Sequence, residues 1–212
     1  MNNNGVDVEK IKNYGTKSVD VNNDNLKQLR ECDFLDFKSE WHKENGALLY
    51  DILCLCNSLS NVKERYIIFG VKEDADTKNK TYNTVLEKSE RKTDESLENL
   101  LHEYFDRAPK FSIYQLEIDS QIIDVLRFFP DPSDLPYYLR KEYKYNNIIV
   151  QRNTIYARNG RTNFPRNEGV PPYYIEQLFA IKHGQHLSAR DRGFFYLNDI
   201  EQWLDNKNDQ KT

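Results

Sequence analysis

The sequence is short of the features that mark exported, membrane-spanning and disulfide-stabilised proteins. Only three of its 212 residues are cysteines, too few for a disulfide framework or a zinc cluster. No apolar run approaches the length of about 18 residues that a membrane-spanning helix requires, and the first ten residues lack the basic and apolar regions of a signal peptide. We therefore predict a cytoplasmic protein of a reducing compartment, with no membrane partner.

Glycine and histidine are also scarce, and neither forms a recognisable site. The eight glycines include no phosphate-binding loop, since Gly70 stands alone after an apolar segment, so nucleotide hydrolysis of the P-loop kind has no support. The four histidines have no carboxylate or cysteine at a metal-ligand spacing, which favours solvated side chains over a metal pair.

Aromatic and charged residues are plentiful instead. Aromatic residues make up 13% of the chain, enough for a real core despite a charged fraction of 30%. The formal net charge of −4 argues against a protein that coats nucleic acid over its whole surface. Any nucleic-acid binding must therefore come from a local basic face, and it must weaken strongly with salt.

The length suits one domain with extensions. We expect a flexible N-terminal leader at 1–23, a domain at 24–183 and a helical C-terminal extension at 184–212. Strand and helix patterns alternate and are followed by a β-meander, which predicts an α/β (α+β) domain whose mixed sheet is flanked by helices. The pattern predicts a short helix through Leu26 and Leu29, a helix at 46–59, a helix capped by Thr93, and helices at 172–183 and 187–203. It predicts strands at 34–38 and 65–71, followed by an exposed loop at 72–92. It also predicts a hairpin of 111–118 with 121–128, and strands at 148–151 and 154–158 joined by a turn at Arg152-Asn153.

Acidic residues near the first two strands are the first candidate site. Asp36 and Lys38 share one face of a strand, Glu31 lies just before it, and Glu73 and Asp74 follow the second strand. If the strands are neighbours, these acids can meet at one end of the sheet and hold Mg²⁺ or Mn²⁺ for phosphodiester hydrolysis, with Lys38 stabilising the phosphate. The alternative is a strand whose outer face is simply solvated.

A basic and aromatic stretch at 137–168 is the second candidate site. It carries seven lysines and arginines against two acids, interleaved with tyrosines. Cations for phosphates beside aromatic rings for bases are typical of a nucleic-acid surface, whereas a β-meander with rings inward and charges outward gives the same pattern. The predicted nucleic-acid-binding residues are Arg140, Lys141, Lys144, Arg152, Tyr156, Arg158, Arg161 and Thr162.

Several segments, taken in order, resemble the Schlafen AlbA-type domain. They are Glu31-Cys-Asp-Phe-Leu-Asp36-Phe-Lys38, Asp51-Ile-Leu-Cys-Leu-Cys-Asn57, Tyr66-Ile-Ile-Phe-Gly-Val71 followed by acids, and Tyr156-Ala-Arg158-Asn-Gly160-Arg-Thr162. The resemblance covers roughly residues 24–183. It implies a mixed α/β fold and nucleic-acid association, and some members of the family cleave tRNA and rRNA with a metal held by three acids.

Carried over by position, the resemblance makes Glu31, Asp36 and either Asp74 or Glu73 the metal ligands, with Asp74 the first choice and Lys38 the nearby cation. Two departures matter. Asp36 stands where the family usually has the longer Glu, and the Gly160-Arg-Thr162 turn is one residue short. Family nucleases clasp RNA with two lobes and this chain has one, so the resemblance implies a homodimer for a catalytic form.

The leading hypothesis is a cytoplasmic, single-lobe protein that binds structured RNA, in preference to DNA, and cuts it by Mg²⁺- or Mn²⁺-dependent hydrolysis, in stress or phage defence. The alternative is a non-catalytic DNA- or RNA-binding regulator or recognition subunit. A weaker third hypothesis is a protein-interaction scaffold that docks through the 187–203 helix.

Overall fold

The structure is a computed structural model that describes residues 7–74, 76–85 and 91–197. Its helices are α1 (Val8–Asn13), α2 (Asn45–Cys56), α3 (Asp94–Tyr104), α4 (Pro172–Lys182) and α5 (Ala189–Leu197). Its strands are β1 (Leu35–Lys38), β2 (Arg65–Phe69), β3 (Val71–Glu73), β4 (Lys80–Tyr82), β5 (Lys110–Ile118), β6 (Gln121–Phe129), β7 (Tyr143–Tyr145), β8 (Ile148–Val150), β9 (Arg158–Asn159) and β10 (Thr162–Asn163). In these ranges no helix has the length and apolarity to cross a membrane.

A mixed four-stranded sheet forms the centre of the fold, in the order β1-β2-β6-β5. β1 and β2 are parallel and are joined through α2, whereas the β2–β6 and β5–β6 pairs are antiparallel. Three two-stranded sheets, β3–β4, β7–β8 and β9–β10, surround it. The predicted α/β class, with a mixed sheet flanked by helices, is therefore confirmed.

The sheet is buried on both faces because side chains of a strand alternate between them. In β2, Ile67 and Phe69 pack with the helices in one core, while Tyr66 and Ile68 pack in a second core. That second core is closed by the N-terminal segment, which contributes Val21 and Leu26. Because β2 faces a core on each side of the sheet, nearly all of its residues are apolar.

A buried carboxylate ties the sheet to two surrounding segments. Asp124 of β6 accepts hydrogen bonds from the Trp41 indole N–H at 2.8 Å and from Nε and Nη2 of Arg91 at 2.7 and 3.1 Å. The amide of Gln115 on β5 donates a further bond at 3.2 Å. Asp124 is completely buried, and its two oxygens face four donors, so its charge is well compensated.

The N-terminal part of the chain differs from the expected flexible leader. Residues 8–13 form α1, and Ile11, Tyr14 and Val21 are buried, so the segment from residue 7 to 23 packs on the domain. The predicted helix through Leu26 and Leu29 is wrong. Asn22 accepts hydrogen bonds through its side chain from the following backbone and so holds a series of turns there.

The strand pairing in the 143–163 region also differs from the prediction. β7 pairs with β8 around Asn146, whose φ of 49° suits a tight turn, and β9 pairs with β10. Arg152-Asn153 therefore does not join two paired strands. The predicted helix start at Thr93 is confirmed, because Thr93 and Ser96 form a reciprocal capping box. The predicted 187–203 helix is seen as α5, and its part beyond residue 197 lies outside the described residues.

Candidate functional site

Asp36 and Lys38 lie on the helix-covered face of β1. Leu35 and Phe37 point into the opposite core, so the alternation of the strand turns Asp36 and Lys38 together towards α2. The Asp36 side chain is only 8% exposed. Its Oδ2 lies 2.8 Å from Lys38 Nζ, and its Oδ1 lies 2.9 Å from Nη1 of Arg158. Both oxygens of this carboxylate are thus paired with cations.

Lys38 also bridges to α2. Its Nζ lies 2.9 Å from Oδ2 of Asp51, and Nε2 of His42 lies 2.8 Å from the same oxygen. Burial acts to raise the pKa of Asp51, but His42 and Lys38 outweigh it and the pKa is lowered. Burial acts to lower the pKa of Lys38, but Asp51 and Asp36 raise it above its usual value.

Sequence reasoning missed Asp51 as a site residue and took His42 for a solvated side chain. The only local signal was a carboxylate inside the apolar run of α2. A charge at such a position is stable only with a partner, and here the partners come from β1 and the loop after it.

Glu31 stands beside Asp36 at the edge of the sheet. One of its oxygens accepts a hydrogen bond from the Phe37 N–H at 3.3 Å. Burial and the neighbouring charge of Asp36 raise the pKa of Glu31, Glu73 adds to the rise, and the Phe37 N–H and Arg158 oppose it. Asp36 and Glu73 therefore both lie close enough to Glu31 to act on its charge.

Glu73, rather than Asp74, is the acid that lies close to Glu31. The Glu73 side chain is 2% exposed, and its Oε1 lies 2.9 Å from Nη2 of Arg161. Asp74 is exposed and accepts hydrogen bonds from the N–H and hydroxyl of Thr77, both at 2.8 Å. Those bonds lower the pKa of Asp74 and hold it in a local turn. The first choice of Asp74 as the third acid is corrected accordingly.

The β9–β10 hairpin covers the acids with three of its side chains. Arg158 pairs with Asp36, Arg161 with Glu73, and the amide of Asn163 donates to Asp51 at 3.3 Å. The three acids belong to β1, β3 and α2, so this one hairpin joins three elements of the fold.

We name the whole arrangement the acidic cluster, and it contains four carboxylates and three cations. Its members are Glu31, Asp36, Asp51, Glu73, Lys38, Arg158 and Arg161.

The acidic cluster does not fit a divalent cation as it is arranged. Both oxygens of Asp36 are occupied by Lys38 and Arg158, and one oxygen of Glu73 is occupied by Arg161. In the part of the chain that the structure describes, no three His, Cys, Asp or Glu side chains are grouped so as to hold a metal ion. In this arrangement, lysine and arginine side chains neutralise the carboxylates in the positions where a metal ion would otherwise do so.

The basic residues of the 137–168 stretch separate into exposed and buried groups. Arg140, Lys141, Lys144, Arg152, Arg161 and Thr162 are exposed. Tyr156 and Arg158 are 5% and 2% exposed, so their predicted contact with nucleic acid is corrected. The Tyr156 ring packs against Tyr50 in the core, and Arg158 forms an ion pair with Asp36. For these two residues the structure agrees with the alternative interpretation of this stretch, in which the side chains point into the protein and not towards a nucleic acid.

The exposed basic residues lie on segments anchored to the helices. Arg140 donates to the Glu103 carbonyl at the end of α3, and Lys141 pairs with the carboxylate of Glu103. Leu139 bridges to Arg152, which brings the backbone of 139–140 beside that of Arg152. Lys144 lies on the β7–β8 hairpin, which packs on the start of α2.

The β7–β8 hairpin approaches α2 closely because residue 46 is a glycine. A Cβ there would lie 2.6 Å from the Tyr143 ring.

A family profile and a solved structure resemble this chain. The profile of the Schlafen, AlbA_2 family matches residues 31–167, and the chain belongs to this family. A solution structure of the N-terminal domain of a RecG-related protein from Nitrosomonas europaea, described as related to an ATP-dependent DNA helicase, is 13% identical with a TM-score of 0.39. The match covers 62% of this chain and 86% of that one. No match was found among curated proteins.

Proposed function

We propose that this protein is a nucleic-acid-binding module that holds the phosphate backbone through the exposed basic residues of 137–168. The observation that carries this proposal is the separation of charge in the structure. Arg140, Lys144 and Arg152 are presented to solvent, whereas the three most buried acids of the acidic cluster are paired with cations of their own. Exposed lysines and arginines supply affinity for phosphates without reading sequence.

RNA is the favoured partner, and a homodimer is the proposed binding form. Both follow from the family resemblance, in which RNA is clasped between two lobes, and this chain supplies one. Exposed Tyr145, beside Lys144, offers a ring on which an unpaired base can stack.

Fluorescence anisotropy with labelled tRNA and with duplex DNA tests the binding proposal. Affinity should fall steeply between low and physiological salt and should be unchanged by EDTA. The Lys144→Ala/Arg152→Ala double variant should lose two phosphate contacts. The magnitude of the slope of log affinity against log salt should therefore fall by roughly 0.7 to 0.9 for each lost contact. Lys12→Ala, an exposed lysine on α1, is the matched control and should change the slope less. Absence of binding even at low salt contradicts the proposal.

The second candidate function is a metal-dependent endoribonuclease in stress or phage defence. It is motivated by the grouping of Glu31, Asp36 and Glu73 near Lys38, and it requires the cations that now hold Asp36 and Glu73 to move away. Incubation with total tRNA, with and without Mn²⁺, separates the candidates. The binding proposal expects no product in either case. Cleavage that requires Mn²⁺ and is lost in Glu31→Ala and Asp36→Ala would replace it with the nuclease.

A further inference from the structure

Arg161 stands at the tip of the β9–β10 hairpin, where a ligand can reach it. Asn159 pairs with Thr162, so Gly160 and Arg161 form a two-residue turn, and Gly160 supplies the positive φ of 62° that such a turn needs. The Arg161 side chain is 47% exposed. Its Nη2 donates to Glu73, and this is the only hydrogen bond of its guanidinium within the described ranges.

Glu73, the partner of Arg161, is buried whereas Arg161 is exposed. Its side chain is 2% exposed, and its Oε2 is buried without a hydrogen-bond partner among the described residues. It also lies close enough to Glu31 to raise that residue's pKa. A buried carboxylate oxygen without a donor is costly, so Glu73 is incompletely compensated by its one contact with Arg161.

We infer that Glu73 is an internal competitor, whose carboxylate occupies Arg161 in the place of a nucleic-acid phosphate. Carboxylate and phosphate oxygens accept the same charge-assisted hydrogen bonds, and a phosphate can engage the guanidinium through two N–H groups where Glu73 engages one. The inference rests on the proposed function and adds to it a contact that lowers affinity.

Arg158 shows why Arg161 is the residue that changes partner. Nε and Nη2 of Arg158 donate to the carbonyls of Gly160 and Arg161 at 3.0 and 2.9 Å, and its Nη1 is held by Asp36. The buried arginine therefore fixes the hairpin backbone in place. Only the side chain at the tip has to turn from Glu73 towards an approaching phosphate.

The test compares the tRNA affinities of two variants, each of which removes one negative charge from one of two adjacent acids. Glu73→Gln removes the competitor with little change in shape, and exposed Asp74→Asn is the matched control. Glu73 engages Arg161 through one N–H group, so Glu73→Gln should tighten tRNA binding about two- to five-fold beyond Asp74→Asn at the same salt concentration. Equal tightening in the two variants overturns the inference.

The dependence on Arg161 is tested by a double-mutant cycle. In an Arg161→Ala background, the extra tightening produced by Glu73→Gln should disappear. Its persistence would show a general charge effect and overturn the inference. Thermal melting verifies that each variant is folded.

A second measurement uses the wild-type chain. Phenylglyoxal modification of Arg161, read by peptide mass spectrometry, should fall when tRNA is bound, and unchanged modification contradicts the inference. If wild-type tRNA binding itself is absent, the proposed function fails instead.

Discussion

Two buried aspartates, on β6 and on β1, show how a fully compensated charge differs from one in a crowded cluster. Asp124 is a single carboxylate that faces four donors from Trp41, Arg91 and Gln115. Asp36 is one of the four carboxylates of the acidic cluster, in which Lys38 is shared between Asp36 and Asp51. The first network is complete, whereas the second leaves Oε2 of Glu73 without a donor among the described residues.

The incompleteness of the second network is visible in its unpaired atoms. Oε2 of Glu73 and Oδ1 of Asn163 are buried without hydrogen-bond partners in the described part of the chain, and both belong to residues that touch the acidic cluster or its cover. Stable folds satisfy most buried polar atoms, so these two atoms show that the acidic cluster and its cover are incompletely compensated. The comparison separates a carboxylate whose oxygens all have donors from a cluster in which one carboxylate oxygen has none.

The largest expected effect concerns Asp124. Asp124→Ala leaves Arg91 and the Trp41 indole N–H without their acceptor, and we expect a loss of about 3 to 5 kcal/mol in the free energy of unfolding. Urea denaturation followed by circular dichroism measures it. Asp20→Ala removes an exposed partner of Arg127 and should cost less than about 1 kcal/mol. Similar losses in the two variants would show that the burial of Asp124 adds nothing to its contribution to stability.

A smaller loss is expected for Arg158→Ala. It leaves Asp36 with Lys38 as its remaining cation and frees the hairpin backbone, at a cost of about 2 to 3 kcal/mol. Hydrogen exchange at residues 159–162 should accelerate at the same time. Lys144→Ala, an exposed residue of the β7–β8 hairpin, should change stability by less than about 1 kcal/mol. A wild-type exchange rate in Arg158→Ala would show that other contacts hold the hairpin.

The smallest effects are two pH dependences of opposite sign. The pKa of Asp51 is lowered in the folded state, so its contribution to stability is present above its unfolded pKa of about 3.9 and is lost as the pH falls through the folded value. The pKa of Glu31 is raised, so the folded state binds that proton more tightly than the unfolded chain. The stabilisation by that proton is lost as the pH rises above about 4.3.

Two variants separate these contributions. Asp51→Asn should be less stable than wild type at neutral pH and should show a flatter loss of stability below about pH 4. Glu31→Gln should be more stable at neutral pH, by no more than about 1 kcal/mol because the residue is only partly buried, and equal to wild type in acid. Urea titrations at several pH values measure both. A Glu31→Gln variant that is destabilised at neutral pH contradicts the unfavourable effect of burial and of the Asp36 and Glu73 charges on Glu31.

The sequence was sufficient for the parts of the fold and site that depend on local pattern. Periodicity predicted the β5–β6 hairpin, and alternation placed Asp36 and Lys38 on one face of β1. It did not predict the choice between Glu73 and Asp74, because the bend at Gly70, with a φ of 92°, and the turn held by Thr77 decide which acid faces inward. Nor did it predict that Arg158 is buried, since its partner Asp36 lies far away in the sequence.

The parallel pairing of β1 with β2 has a consequence for the order of assembly. Lys38 and Asp51 belong to one β1–α2–β2 unit and meet across a short stretch of chain, whereas Arg158 must return to Asp36 across most of the molecule. Contacts that close short loops form at lower entropic cost and earlier than those that close long ones. A nascent chain would thus form the Lys38–Asp51 bridge first and dock the β9–β10 hairpin over it late in folding.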